Sequence, residues 1–288
     1  MKSFVCSSLL LLILSMTTSA QEQKDYVVTI KTPFGNMIAI LYDETPRHKA
    51  NFIKLAQEKF YDSLLFHRVI QGFMIQGGDP ASKGAKPGEM LGQGGPGYTI
   101  EAEINPKFFH VKGALSAARL GDMQNPAKAS SGSQFYVVQG TKVNEDQLTI
   151  DGPKFNQAMQ QFLQNPANKS YYDTLMTFVQ NQDKKGYEEY LMKALRPLAE
   201  AETGITTDKE ADPEKVKAYT TIGGTPHLDG EYTVFGRVIK GLEVIDKITA
   251  QPKDKSDRPF VDIPMTVTVE EVPKATIESL YKYKYPSP

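Results

Sequence analysis

Hydrophobic and polar positions alternate along some stretches of this chain and follow a helical period along others. Tyr26–Thr32 and Met37–Tyr42 carry apolar residues at alternate positions around Pro33-Phe34-Gly35-Asn36, the pattern of two strands joined by a turn. Thr45-Pro46 then sets a capping hydroxyl before a proline at the first helical position. Phe52, Leu55, Ala56 and Phe60 follow at helical spacing, which predicts an amphipathic helix laid over a core. Two apolar runs of strand length come next, Leu64–Ile70 and Phe73–Gly78, joined through Gln71-Gly72 and closed by Gly77-Gly78-Asp79. Glycine punctuation around β-branched and aromatic residues predicts a hairpin. Period-two alternation puts Phe66, Arg68 and Ile70 on one face of its first strand, and Met74 with Gln76 on one face of its second.

Farther on, Lys83–Gly97 is rich in glycine, lysine and proline and reads as an exposed loop. Gly113–Ala118 is a run of small residues that a partner chain can approach closely. Ser130–Ser133 and Thr225–Tyr232 read as turns, Gln134–Val138, Thr233–Ile239 and Met265–Val272 as strands, and Leu242–Thr249 as a helix. Many strands with two helices far apart in the chain predict a mainly β fold, a closed antiparallel barrel capped at its ends.

Between Thr141 and Thr221 the period is helical. Phe155, Met159, Phe162 and Leu163 form one apolar stripe; Tyr172, Leu175, Met176 and Val179 form a second. Tyr187, Tyr190, Leu191, Ala194, Leu195 and Leu198 form a third, and Pro213 opens a short helix at Glu214–Tyr219. The stripes are most simply the core of a small helical subdomain, since apolar helix faces normally pack inward. The expected organisation is a barrel built from residues 26–140 and 222–272, a helical insertion over 141–221, and a tail over 273–288.

Composition changes this picture at the N-terminus. Lys2, the unbroken apolar Leu9–Leu14 and the small residues Thr18-Ser19-Ala20 match a secretory leader over residues 1–20. The alternative is a retained anchor, although the apolar run is too short to span a bilayer unaided. The reading implies an exported protein, periplasmic or secreted. Cys6, the only cysteine, precedes that apolar core, so the mature chain has no disulfide, thiol nucleophile or cysteine metal site. Removing Lys2 takes the basic count from 33 to 32 against 34 acidic residues, a formal charge of −2 (32 − 34). No basic excess points to nucleic acid, and no long apolar run remains for a membrane.

Arg68 carries the chemistry. An arginine inside an apolar strand must face a wet surface or meet an acceptor such as Gln76, and taken alone it reads equally well as an edge-strand ion pair. The surrounding F-H-R-V-I-Q-G-F-M-I-Q-G-G-D, however, is similar to the active-site segment of the cyclophilins, the peptidyl-prolyl cis/trans isomerases. The likeness recurs in family order at Gly92–Ile100, Gly113–Ala118, Ser131–Val138 and Leu228–Val238.

The resemblance implies an eight-stranded cyclophilin-like barrel that isomerises Xaa-Pro bonds in polypeptide clients, without a cofactor. It puts Arg68 in the catalytic arginine position, with Gln76 holding the guanidinium and contacting the substrate carbonyl. Phe73, Met74, Tyr136 and Leu228 would line the proline pocket with Tyr232 at its edge, and Ala118, Arg119 and Gln134 would bind the neighbouring backbone. For each apolar member, ordinary core packing is the alternative. Three positions depart from common patterns: Tyr136 for phenylalanine, His227 for the tryptophan of the best-known eukaryotic members, and Tyr232 for a histidine. The phenol of Tyr136 therefore needs water or a partner.

Other site classes fit poorly. Gly92–Gly97 matches G-x-G-x-x-G but contains a proline and leads into strand rather than helix, so a dinucleotide site is rejected. His48, His67, His110 and His227 lack metal-ligand spacing, and Ser131-Gly132-Ser133 lacks a nucleophile-elbow context.

Overall fold

Alternation does build the first hairpin: β1 (Lys24–Thr32) and β2 (Gly35–Leu41) pair antiparallel, Val27 against Ile40 and Ile30 against Met37. The structure is a computed structural model and describes residues 23–285, so the expected leader over 1–20 lies outside the described residues. Helix α1 (Pro46–Gln57) follows, then β3 (Arg68–Ile70), β4 (Met74–Gly77), β5 (Thr99–Ile100), β6 (Ala114–Ala117), β7 (Ser130–Ser131) and β8 (Phe135–Val138). After the inserted helices come β9 (Val234–Lys240), a helix at Leu242–Thr249 and β10 (Thr266–Pro273).

Eight of these strands form one antiparallel sheet in the order β10-β1-β2-β9-β6-β8-β4-β3, while β5 and β7 pair apart. The expected closed barrel is met only in its coarser form, because the ladder stops at β10 and β3. Just outside those edges, Phe66 N–H donates to Ile263 O at 2.9 Å and Met265 N–H to Leu64 O at 2.8 Å. Between them Leu65 meets Pro264 in an isolated bridge. Proline has no N–H to donate, so pairing there cannot continue as a regular ladder.

That irregularity also corrects the expected strand face. Phe66 precedes the regular strand and packs inward with Val69 in the main core, whereas Ile70 packs with the outer cluster around Met74. Alternation holds only within Arg68–Ile70. The run Phe135–Val138 is buried throughout because both its faces are covered. Phe135 and Val137 enter the main core; Tyr136 and Val138 enter the outer cluster.

The two helices flanking the sheet supply Phe52, Leu55, Val244, Ile245 and Ile248 to that core, each worth roughly 1.5–3 kcal/mol on burial. At the start of α1, Thr45 does not cap through its side chain; its hydroxyl donates to Tyr42 O. The amides of Arg47 and His48 donate instead to Glu103, at 3.1 and 3.0 Å, and His48 Nδ1 lies 2.6 Å from the same carboxylate.

The inserted helices are α2 (Asp146–Thr149), α3 (Gly152–Gln164), α4 (Lys169–Gln180), α5 (Lys184–Glu189), α6 (Arg196–Thr203) and α7 (Pro213–Thr221). A π-helical stretch, Tyr190–Leu195, joins α5 to α6, whose second residue is Pro197; a proline inside a helix removes one N–H and crowds the preceding turn. Ala158, Met159, Phe162, Leu175, Leu195 and Ala199 make a separate core for this lobe. Tyr219 of α7 lies outside it and is fully buried. The insertion is stitched twice: Thr141 pairs with Gly224 and Ile150 with Asp208. With the helix at Leu242–Thr249 as α8, the segment read as a tail forms α9 (Lys274–Tyr281), whose Ile277 is buried against Val27 and Ile40.

Candidate active site

The turn at Gln71-Gly72 brings Arg68 opposite Gln76 in the β3–β4 register, and Arg68 Nη1 donates to Gln76 Oε1 at 3.2 Å. Gln76 Nε2 donates to Gln134 Oε1 at 2.9 Å. The amide of Gln134 in turn donates to the carbonyls of Gly92 and Gly94, at 3.0 and 2.7 Å. Buried Asp79 closes the series by accepting from the N–H groups of both glycines. The glycine-rich loop is thus the far end of a relay that begins at the arginine. Gly78 permits the crossing: its φ is +91°, and a Cβ there would stand 2.2 Å from Ser133 O.

Arg68 is half-exposed, and its Nε lies 3.9 Å from Asp257 Oδ2, a carboxylate that sequence reasoning missed. Asp257 comes from a loop 189 positions away (257 − 68) and has no local signal. Beside the guanidinium is a cavity of about 100 Å³ lined by Arg68, Phe73, Met74, Gln76, Ala118, Arg119, Tyr136, Leu228 and Tyr232. Every residue expected at the pocket is therefore on its wall except Gln134 and His227. His227 is exposed and stacks on Phe73 with ring centroids 5.7 Å apart and planes 27° apart. Gln134 lines an adjoining groove of about 610 Å³ that shares Gln76, Ala118 and Arg119 with the cavity.

Arg119 acts differently from Arg68. Its side chain is only 4 % exposed, and the guanidinium donates to Glu231 O, Leu120 O and Asp122 while lying 4.4 Å from the Tyr232 ring. It braces the wall rather than offering a free cation. Burial drives the Tyr136 phenol well above its ordinary range, and neither its hydroxyl nor the buried hydroxyl of Ser116 has a hydrogen-bond partner among the described residues. The wall is thus apolar at Phe73, Met74, Tyr136 and Leu228 and polar at Gln76 and the braced Arg119, with Arg68 the half-exposed cation at its mouth.

Among the described residues no group of three or more histidine, cysteine or acidic side chains could hold a metal ion, and no helix is long and apolar enough to cross a membrane.

A family model described as cyclophilin type peptidyl-prolyl cis-trans isomerase matches residues 27–152 and 197–270, leaving most of the helical lobe between its two segments. A Staphylococcus saprophyticus protein named as peptidyl-prolyl cis-trans isomerase is 30% identical over 226 residues, covering 78% of this chain and 80% of its own. A Staphylococcus haemolyticus protein of the same name is 30% identical, covering 84% of this chain and 89% of its own. A longer Streptococcus pyogenes protein, named bifunctional phosphatase/peptidyl-prolyl cis-trans isomerase, is 31% identical, and the chain spans 37% of its length. The crystal structure of a Cryptosporidium parvum cyclophilin type peptidyl-prolyl cis-trans isomerase superposes with a TM-score of 0.49 at 21% identity, covering 87% of this chain and 100% of that one. By the family model and the Staphylococcus relatives, the chain belongs to the cyclophilin type peptidyl-prolyl cis-trans isomerases.

Proposed function

We propose that this isomerase acts on Xaa-Pro bonds of exported or unfolded protein clients, using Arg68 to weaken amide resonance without covalent chemistry. The barrier to rotation is about 18–20 kcal/mol because the C–N bond has partial double-bond character. As the prolyl nitrogen pyramidalises in the twisted state, its lone pair leaves the amide system and becomes an acceptor. A guanidinium donating to that nitrogen favours the twisted state over either planar one, and each tenfold acceleration requires about 1.4 kcal/mol of such preference. Arginine remains charged at any working pH.

The observation that carries this reading is Arg68 held by Gln76 at the rim of a small cavity that has Phe73, Met74, Tyr136 and Leu228 on its wall. The proline ring would occupy the cavity between Phe73, Met74, Tyr136 and Leu228, with the flanking peptide along the adjoining groove. Among the described residues no hydrogen bond engages the backbone N–H or C=O of Arg119, which leaves both for an extended client. The bonds from Leu64–Phe66 to Ile263–Met265 support treating the sheet as a working barrel. The leader over residues 1–20 is the basis for export to a periplasmic or extracellular space.

The test is a protease-coupled assay on a proline tetrapeptide. Arg68→Ala should lower kcat/KM by about 10²-fold, about 2.7 kcal/mol, and lysine should rescue poorly because it lacks the planar fork. Near-wild-type turnover by folded Arg68→Ala would remove the mechanism. A wild-type protein that binds the peptide without isomerising it would instead be a proline-peptide-binding chaperone that depends on its helical insertion.

A further inference from the structure

Asp229 sits one residue beyond Leu228 on the cavity wall, and its carboxylate joins two parts of the chain. His110 N–H donates to Oδ1 at 3.0 Å, and His110 Nδ1 lies 2.9 Å from the same oxygen. Tyr219 OH donates to Oδ1 at 2.7 Å, and Lys215 Nζ stands 2.7 Å from Oδ2. Burial alone would raise this carboxyl, but the bonds from His110 and Lys215 outweigh it and hold the group below its usual range. His110 and Asp229 belong to the sheet region, whereas Tyr219 and Lys215 belong to α7, the last helix of the insertion.

From the hub the contacts run to the site. The His110 ring lies 14° from parallel to Tyr136 with centroids 6.1 Å apart, and edge-on to Tyr232 at 6.4 Å. Both tyrosines line the cavity, and Asp229 anchors Leu228 through the chain. Tyr219 is fully buried between the Phe109 ring and Gly224, outside the core of the helical lobe. Filling that space needs an aromatic ring. It does not need a hydroxyl aimed at a carboxylate.

We propose that α7 is a buttress of the active site, in which Tyr219 and Lys215 are positioning residues that hold the cavity wall through Asp229 and His110. The inference rests on the reading of that cavity as the proline pocket. A wall aligned for the twisted ring favours the transition state more than the planar ground state, so its loosening lowers kcat more than it raises KM.

The experiment uses the full chain and the variants Tyr219→Phe, Lys215→Gln and Asp229→Asn, with kcat and KM for a proline tetrapeptide measured alongside thermal melts. Tyr219→Phe should lower kcat fivefold to tenfold with KM changed less than twofold, and Lys215→Gln should lower it twofold to threefold. Tyr219→Phe combined with Asp229→Asn should be no slower than Asp229→Asn alone, because the hydroxyl acts only through that carboxylate. Leu175→Ala in the lobe core should lower the melting temperature while keeping wild-type kcat. Wild-type kcat in Tyr219→Phe, additive losses in the double variant, or an equal kcat loss in Leu175→Ala would each overturn the proposal. Should the wild type bind the peptide but not isomerise it, the functional reading fails by itself. The buttress is then read from peptide-induced NMR shifts of Tyr136 and Tyr232, which Tyr219→Phe should diminish and which, if unchanged, overturn it.

Discussion

Glu103 serves two acceptor roles at once, for the first amides of α1 and for the ring of buried His48. Burial tends to raise its carboxyl, but the bonds from His48 and the helix amides hold it below the usual range. Glu103→Ala leaves the helix donors and a ring nitrogen without their acceptor, so it should lower stability by about 1–2 kcal/mol. Urea unfolding at pH 7 checks this; an unchanged midpoint would mean that water replaces the carboxylate without loss. No reading of residues near Thr45 could find this cap, because the partner lies 55 positions beyond His48. Arg68 and Gln76 were legible for the opposite reason: the short turn between Ile70 and Met74 sets their register locally. The resemblance gave Arg119 as a binder of the neighbouring backbone and not as a brace, since Glu231 reaches it from 112 positions away.

Periodicity located the inserted helices, because a stripe of apolar residues at helical spacing needs no knowledge of its partner, but the expected inward packing fails at Tyr172, Val179 and Leu198, which are exposed. It could not say which stripe packs against which body. Helices α3 to α6 build the lobe's own core, while Tyr219 of α7 is buried outside it and bonds Asp229, next to Leu228 of the candidate site. The seam between them is marked by two backbone bonds, Asp151 N–H to Thr207 O and Lys209 N–H to Thr149 O, both at 2.8 Å. Cutting there separates neighbouring strands of chain at modest loop-closure cost. Replacing Gly152–Thr206 by a short Gly/Ser linker should therefore leave a folded protein with kcat/KM on a small peptide within about twofold of wild type. Replacing Lys142–Thr221, which also removes α7, should lower it at least fivefold further. Equal activity of the two truncations would contradict this division, and only the first should match the parent in a thermal melt of the sheet.

Over the whole molecule, three buried histidines govern the response to mild acid. Burial lowers the pKa of His48 and of His110 despite their carboxylate partners, and lowers that of His67 to about 4. An unfolded histidine takes up its proton near pH 6.5, while folded His67 refuses it until about pH 4. Between those values the unfolded chain binds more protons, so stability must fall as pH falls, by about 1.4 kcal/mol per pH unit for each histidine within its window. Carboxyls held below their usual range, such as Asp229 and Asp246, contribute stability above the unfolded carboxyl pKa of about 4 and lose it only in stronger acid. Urea midpoints at pH 7, 6 and 5 should decline in that order, and a flat or rising series would exclude the mechanism.

The pairing of β1 with β10 sets a timetable. Lys24 faces Pro273 and Lys31 faces Thr266 in that register. A chain that emerges N-terminus first makes the β1–β2 hairpin early, yet the other edge of β1 stays bare until its last strand arrives. The 234 residues from Thr32 to Thr266 (266 − 32) take on the order of 10–50 s at about 5–20 residues per second. Throughout that interval the nascent sheet shows a row of unpaired N–H and C=O groups, the kind of edge on which chains aggregate. Uncatalysed Xaa-Pro exchange occupies about tens to hundreds of seconds, which overlaps the same wait. An unfinished copy thus presents, for those seconds, an unfolded proline-containing chain of the kind proposed above as this isomerase's client.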